Sequence, residues 1–243
     1  ISPDGSIAAV AIENERDEEL NDGEIPQLPA GFVAIFKLKD GAADCDSRIM
    51  VDVKGLSAVA GDDPEPEYVD INSRNEIAVT LQENNHIVLI NGNDGKVIGH
   101  FSAGAVDLTG IDTKSDGAIT FAGEKKAVAR EPDTIQWLDD DRLLVANEGD
   151  YKGGSRSFTI FARSGEVLHE SGTDFEQRAA QAGHYPDKRS KSKGIEPEGA
   201  EVKSFGDTNY MFIMAERASL VGVYKDTGAA PDFSQLLPAG LSP

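Results

Sequence analysis

The chain has 243 residues, enough to bury a sizeable core as one large β domain or two small ones. Its 43 Asp and Glu residues outnumber 23 Lys and Arg residues, and the formal net charge of −20 argues against nucleic acid or an anionic membrane as the main partner. No apolar run reaches the roughly 18 residues that a membrane span needs. The single cysteine, Cys45, excludes an internal disulfide and a zinc cluster of cysteines.

Short β-type runs follow one another along the chain, joined by turns rich in Gly, Asp and Asn. SIAAVAIEN, FVAIFKL and RIMVDV come first, and the second unit reads YVDI, EIAVTLQEN, HIVLIN and KVIGHFS. The third unit reads TIQWL, RLLVANEGD, SFTIFA and EVLHES, and the fourth reads GAEVKSF, NYMFIMAER, SLVGVYK and FSQLL. Each of the last three units opens on a carboxylate–proline–carboxylate phrase, at residues 65–67, 131–133 and 196–198, about 65 residues apart.

Four-stranded units that recur at a fixed spacing are typical of a β-propeller. The sequence therefore predicts an all-β fold, a single propeller domain over residues 1–243 with about four blades of four antiparallel strands. The predicted blades cover roughly residues 1–53, 65–102, 131–171 and 196–243. The period exceeds the roughly 40–50 residues of familiar propeller repeats, so we expect irregular polar stretches at 13–31, 54–64, 103–130 and 172–195. The alternative, unrelated hairpins in a β-sandwich, would not repeat one phrase.

The pattern begins without its first strand and stops in the approach to another strand, which predicts a partial propeller and a segment of a longer protein. Closed propellers usually have four to eight blades. An incomplete propeller leaves sheet edges exposed, so self-association through those edges is an expected consequence.

Carboxylates recur at two positions of each unit. In a propeller blade the head of the first strand and the tail of the second lie at the same end, so these side chains are expected to converge on the mouth of the channel. Each proline should hold the glutamate before it in an extended conformation. Crowded carboxylates need protons or a cation, and calcium accepts six to eight oxygen ligands. The predicted calcium ligands are Glu67, Asp133 and Glu198 at the strand heads and Glu83, Glu148 and Glu216 at the strand tails. The alternative is that the glutamates brace neighbouring blades.

One basic loop, GHYPDKRSKSKG at residues 183–194, leads into the last of the three phrases. Its position predicts that it lies over the same mouth, where His184, Arg189 and Lys193 would bind a small phosphorylated ligand beside the cation. The alternative is a solvated flexible loop.

The phrases EPDTIQW, VANEGDYKGGSRSFTIF, AGHYPDKRSKSKGIEPEGAEV and MAERASLVGVY resemble bacterial extracytoplasmic propellers of the "esterase-like activity of phytase" family, from about residue 131 to 243. LLVANEGD and LQENN resemble the choice-of-anchor surface propellers, some of them alkaline-phosphatase-like. The two resemblances together reach most of the chain. They imply a periplasmic or extracellular, cell-surface propeller with calcium and a phosphoester-hydrolase activity.

Two functions stay open from the sequence. The first is a calcium-dependent phosphoester hydrolase that uses a metal-activated water. The second is a non-catalytic propeller that binds a partner at the cell surface or serves as a scaffold. The sequence contains no nucleophile–base pair, which favours the second.

Overall fold

The structure is a computed structural model that describes residues 1–240, so the last three residues of the predicted fourth blade lie outside the described residues. It is built almost entirely from antiparallel strands arranged in consecutive sheets. Blade 1 has three strands: β1 (Ile7–Ile12), β2 (Phe32–Lys39) and β3 (Ala42–Val51). Blade 2 has four: β4 (Pro66–Ile71), β5 (Glu76–Leu81), β6 (His86–Asn91) and β7 (Val97–Ser102).

The second half of the chain repeats this design. A two-stranded sheet, β8 (Ala105–Ile111) and β9 (Gly123–Ala129), comes first. Blade 3 consists of β10 (Ile135–Asp139), β11 (Arg142–Asn147), β12 (Ser157–Ala162) and β13 (Val167–Glu170). Blade 4 consists of β14 (Pro197–Phe205), β15 (Thr208–Ala215), β16 (Leu220–Lys225) and β17 (Asp232–Pro238).

Inner strands of consecutive blades contact one another in the order β1, β4, β10 and β14, and residues 1–240 do not close into a ring. Three buried apolar clusters fill the spaces between successive blades. Ile77 and Val79 of β5 pack towards blade 1, whereas Ala78 between them packs towards blade 3. A strand buried on both faces reads as a continuous apolar run, which explains the sequences EIAVTL and HIVLIN. The predicted β-propeller fold is confirmed.

Two stretches expected to be irregular contain regular structure. Residues 103–130 hold the β8–β9 hairpin, and residues 172–195 hold helix α1 (Asp174–Gln181) and a 3₁₀ turn at Asp187–Arg189. Phe175 and Ala179 of α1 are fully buried in the cluster between blades 3 and 4. These two apolar side chains, four residues apart, order the segment because they share one face of the helix.

In blades 2, 3 and 4 the first strand begins where the second ends, and β1 of the three-stranded blade 1 corresponds to the second strand of those blades. Pro66 pairs with Leu81, and Pro197 pairs with Ala215, so the head of one strand lies against the tail of the next. The expectation that each proline holds its preceding glutamate extended is wrong for two blades. Glu131 and Glu196 have φ of 45° and 51°, in the left-handed region. Their side chains are buried against other parts of the protein, and those contacts outweigh the local preference.

Candidate functional site

Carboxylates from all four blades lie at the end of the sheets where first strands begin and second strands finish. Three phrases contribute two acids each, and the residues after β1, β5, β11 and β15 contribute one each. The set comprises Glu13, Glu65, Glu67, Glu83, Glu131, Asp133, Glu148, Glu196, Glu198 and Glu216. We call this end of the molecule the acidic mouth.

The first acid of each phrase is more deeply buried than the second. Glu65 and Glu196 have no exposed surface and Glu131 is 2% exposed. The calcium ligands predicted at the strand heads are the second acids, so these three buried glutamates were not predicted. One signal was present: the first position is Glu in all three phrases, whereas the second alternates between Glu and Asp.

Two of these buried glutamates have protein partners that satisfy both carboxylate oxygens. Glu131 accepts backbone N–H bonds from the loop at residues 150–152, at 2.9–3.0 Å. Glu196 accepts hydrogen bonds from Arg189 Nε at 2.6 Å and Arg217 Nε at 3.0 Å. At these two positions the carboxylate fixes a loop over the mouth, as the alternative role of bracing the blades predicts.

Glu65 occupies the same position in blade 2, but no backbone N–H group and no Arg, Lys, amide or hydroxyl side chain among the described residues donates to either of its carboxylate oxygens. One carboxylate oxygen each from Glu13, Glu65 and Glu83 lie within 4.8 Å of one another. Burial is the main cause that raises the pKa of Glu65 to about 7, and the negative charge of Asp63 is the next largest. Burial is also the main cause that raises the pKa of Glu83 to about 10, followed by the negative charge of Glu65.

The second acids line an open cleft at the mouth. Its volume is about 620 Å³, and its walls include Glu67, Asp133, Glu198 and Glu216 together with the apolar side chains of Met214 and Leu220. We call it the mouth cleft.

The carboxylates of the mouth cleft have raised pKa values. Burial is the main cause that raises the pKa of Asp133 to about 8, and the negative charges of Glu67, Glu148 and Glu198 add to it. Burial is also the main cause that raises the pKa values of Glu67 and Glu198. In residues 1–240, no Lys or Arg side chain forms an ion pair with Glu67, Asp133 or Glu198.

A second close group joins the tails of blades 3 and 4. Oxygens of Glu148, Glu196 and Glu216 lie within 4.8 Å of one another. Cationic side chains already neutralise this group, since Lys193 Nζ lies 3.4 Å from Glu148 and Arg217 Nε lies 3.0 Å from Glu216. It therefore has less need of a bound ion than the cluster around Glu65.

The six predicted calcium ligands thus lie in three neighbouring places. Glu83 lies with Glu13 and Glu65, and Glu148 lies with Glu196. Three others line the mouth cleft, namely Glu67, Asp133 and Glu198. Glu216 belongs both to the Glu148–Glu196 group and to the wall of the cleft. The structure brings them to one end of the molecule but does not gather all six around one point. Their role as calcium ligands stays a prediction.

The predicted substrate-binding residues lie on the segment that covers the mouth, and each has a protein partner. Arg189 binds Glu196, Lys193 lies beside Glu148, and His184 Nδ1 is 3.0 Å from the backbone oxygen of Ala218. Their binding of a phosphorylated ligand stays a prediction.

A buried ion pair holds this segment in place. Arg156, which is fully buried, donates to Glu176 Oε1 at 2.9 Å, to Ser190 O at 2.6 Å and to Ser192 O at 3.0 Å. The pair lies 20 residues apart in sequence and belongs to none of the repeated phrases, so the sequence pattern did not reveal it.

With the architecture and the acidic mouth established, sequence comparison identifies the family. The profile of the choice-of-anchor I domain matches residues 1–153 and 151–229. The chain belongs to the choice-of-anchor I family. Membership implies a protein of the cell surface or the extracellular space. In residues 1–240 no helix is long and apolar enough to cross a membrane. No curated protein matches the chain.

Solved propellers resemble this member of the choice-of-anchor I family in fold. A Bacteroides fragilis protein provisionally assigned as a 6-phosphogluconolactonase aligns with a TM-score of 0.53 and 12% identity, over 98% of this chain and 55% of that one. The propeller domain of Cps50 (Swd1) from Myceliophteria thermophila aligns at a TM-score of 0.46 and 8% identity, over 85% of this chain and 55% of its own. Hsv2p from Kluyveromyces lactis aligns at 0.46 and 10% identity, over 86% and 56%. The chain thus spans about half the length of these structures, and identities this low show the fold alone.

Proposed function

We propose that this chain is a calcium-binding module of a cell-surface propeller, and that the mouth cleft holds the ion and presents it to a surface partner. The observation that carries the proposal is the arrangement of Glu67, Asp133 and Glu198. These equivalent carboxylates from three consecutive blades line one cleft. Among the described residues they have no ion-pair partner, as set out above.

Electrostatics favours a cation in this cleft. Burial and mutual repulsion raise the pKa of Asp133 to about 8, so without a cation the site must retain protons. A divalent ion removes the repulsion between these carboxylates and lowers the cost of burying their charges.

Calcium fits the donors better than other common ions. All are hard carboxylate oxygens, which suit calcium and magnesium rather than zinc or copper. Carboxylates that come from separate blades give a loose, irregular geometry, which calcium accepts and the near-octahedral magnesium ion does not. The cleft's volume of about 620 Å³ leaves room for ligand oxygens to complete the shell.

Phosphoester hydrolysis is not part of the proposal. Arg189 and Lys193 already bind the carboxylates of Glu196 and Glu148, so they are not free to hold a phosphate. The geometry therefore favours the second of the two functions predicted from the sequence, a non-catalytic propeller that binds a partner. A location at the cell surface, which membership of the family implies, fits this role.

Terbium luminescence tests the cleft directly. Tb³⁺ occupies calcium sites, and Tyr68, which lines the cleft and is 38% exposed, can sensitise its emission. We expect calcium to displace terbium from the wild-type protein. The double variant Asp133→Asn/Glu198→Gln should bind calcium at the cleft at least tenfold more weakly because it lacks two of the charged ligands.

Two controls make the result specific. Glu166→Gln removes one charge from an exposed side chain of blade 3, outside the mouth, and should leave the titration unchanged. Tyr68→Phe should reduce the emission without changing the calcium concentration that displaces terbium. Equal calcium affinity in the wild type and the double variant would refute the proposal.

A further inference from the structure

The three repeated phrases provide an internal comparison within one molecule. Glu65, Glu131 and Glu196 occupy the same position in blades 2, 3 and 4, and all three are buried. Backbone N–H groups bind Glu131, and two arginines bind Glu196. Glu65 alone of the three has two buried oxygens that lack a hydrogen-bond donor.

The surroundings of Glu65 add negative charge instead of compensating it. Glu83, which is 3% exposed, approaches it from the tail of β5 with one carboxylate oxygen also lacking a donor. Asp63, which is fully buried, has an oxygen without a donor as well, and its charge raises the pKa of Glu65. Glu13 completes the group from blade 1.

The nearby cation is bound elsewhere. Arg16 donates to Asp150 Oδ2 at 2.6 Å and to the backbone oxygen of Gly23 at 3.3 Å. Its charge acts on Glu65 and Glu83 over a longer distance. No hydrogen bond joins Arg16 to either carboxylate among the described residues, so no cationic side chain pairs directly with Glu65 or Glu83.

We propose that Glu13, Glu65 and Glu83 bind a calcium ion that joins blade 1 to blade 2. One oxygen from each lies within 4.8 Å of the others. Calcium–oxygen distances are about 2.3–2.6 Å, so two oxygens of one shell stand at most about 5 Å apart, and the observed spacing fits. This interblade site adjoins the mouth cleft, because Glu13 lies within hydrogen-bonding reach of Glu67. None of its three proposed ligands lines the cleft, so the proposal does not depend on the function proposed for that cleft.

The site's burial favours calcium over magnesium. Magnesium binds at about 2.0–2.1 Å and usually keeps several waters, whereas Glu65 and Glu83 are nearly inaccessible to solvent. The ion would replace, in blade 2, the loop N–H groups and arginines that satisfy the equivalent glutamates of blades 3 and 4. Because Glu13 follows β1 while Glu65 and Glu83 flank β4 and β5, calcium should strengthen the contact between the first two blades.

A shared proton is the competing explanation, since the carboxylates of Glu65 and Glu83 come close enough to share one. Thermal melting at pH 8 with and without calcium separates the two. Binding at a hundredfold excess over the dissociation constant corresponds to about 2.7 kcal/mol. For a chain of this size that amounts to a rise in Tm of about 5–11 °C.

The decisive variants are Glu65→Gln and Glu83→Gln, with Glu15→Gln as the matched control. Glu15 is exposed and lies near the cluster, so its substitution removes the same charge without removing a ligand. In the absence of calcium, Glu65→Gln should melt at the wild-type temperature or above it, because it removes an unpaired buried carboxylate. To isolate this site, the three variants are compared in the Asp133→Asn/Glu198→Gln background, where most of the calcium-dependent rise in Tm should be lost in both decisive variants and retained in Glu15→Gln.

Three outcomes would overturn the proposal: no calcium-dependent rise in the wild type, an equal rise in Glu65→Gln, or an equal loss in Glu15→Gln. The first of these, combined with a higher Tm for Glu65→Gln, would identify a protonated pair. The cleft variant Asp133→Asn/Glu198→Gln by itself should lose only the cleft's share of the rise and keep the share that the interblade site contributes. Failure of the cleft and failure of the interblade site therefore give different results.

Discussion

The segment that covers the acidic mouth depends on one buried ion pair, and Arg156→Met tests this dependence. Arg156 and Glu176 have fully buried side chains. The substitution removes the guanidinium that binds Glu176, Ser190 and Ser192 while keeping an unbranched apolar side chain in its place.

The magnitude follows from what the substitution leaves behind. Removing one partner of a buried pair typically costs about 3–5 kcal/mol because the other charge stays buried without compensation. Among the described residues, Arg156 is the only cationic side chain that forms an ion pair with Glu176, and the second oxygen of Glu176 lacks a donor. At about 2–4 °C per kcal/mol for a chain of this length, the Tm should fall by about 6–20 °C.

Urea denaturation and differential scanning calorimetry measure this loss. Hydrogen exchange should show the greatest increase in the segment at residues 172–195, since Arg156 joins it to blade 3. The double variant Arg156→Met/Glu176→Leu should recover much of the stability, because replacing both charges with apolar groups is often close to neutral. Lys96→Met is the control: Lys96 and Asp94 form an exposed pair, and breaking it should leave the stability nearly unchanged. A loss below about 1 kcal/mol in Arg156→Met would refute the anchoring role.

Two further predictions concern buried polar groups. Glu131→Gln should lower the free energy of unfolding by about 1–3 kcal/mol in urea titrations, since it weakens charge-assisted hydrogen bonds from the backbone of residues 150–152. If Glu131→Gln instead stabilised the protein, as Glu65→Gln should do without calcium, then Glu131 would not be the better-partnered of the two glutamates. Burial is the main cause that lowers the pKa of His86 to about 4, and the charge of His100 adds to it. Below about pH 6.5 the unfolded chain binds a proton at His86 that the folded protein does not bind. The contribution of the neutral His86 to stability is therefore present above about pH 6.5 and is lost as the pH falls towards 4, by at most about 1.4 kcal/mol per pH unit. The difference in stability between wild type and His86→Gln, measured in urea from pH 7.5 to 4.5, should narrow over that range, and a constant difference would show that His86 does not titrate as assigned.

The sequence alone determined the architecture and the end of the molecule that carries the acids. Four-stranded units with the same order of apolar runs and turns specify blades, because strands of alternating or continuous hydrophobicity must be covered by the next sheet. Antiparallel pairing then places the head of each first strand beside the tail of each second. Glu67 and Glu83 are therefore brought to one end by topology alone, whatever their side chains contact.

Only the tertiary structure decided which acid has a partner. Glu65, Glu131 and Glu196 stand in the same local phrase, and their differences come from segments outside it: the loop at 150–152 for Glu131, and Arg217, in the turn after β15 of the same blade, for Glu196. Hydrogen-bond satisfaction depends on which donors reach a buried oxygen, and a repeat pattern carries no information about such contacts. For the same reason the pattern predicted neither the left-handed φ of Glu131 and Glu196 nor the Arg156–Glu176 pair. The repeat determines where the acids lie, and the tertiary packing determines which of them lack a protein partner.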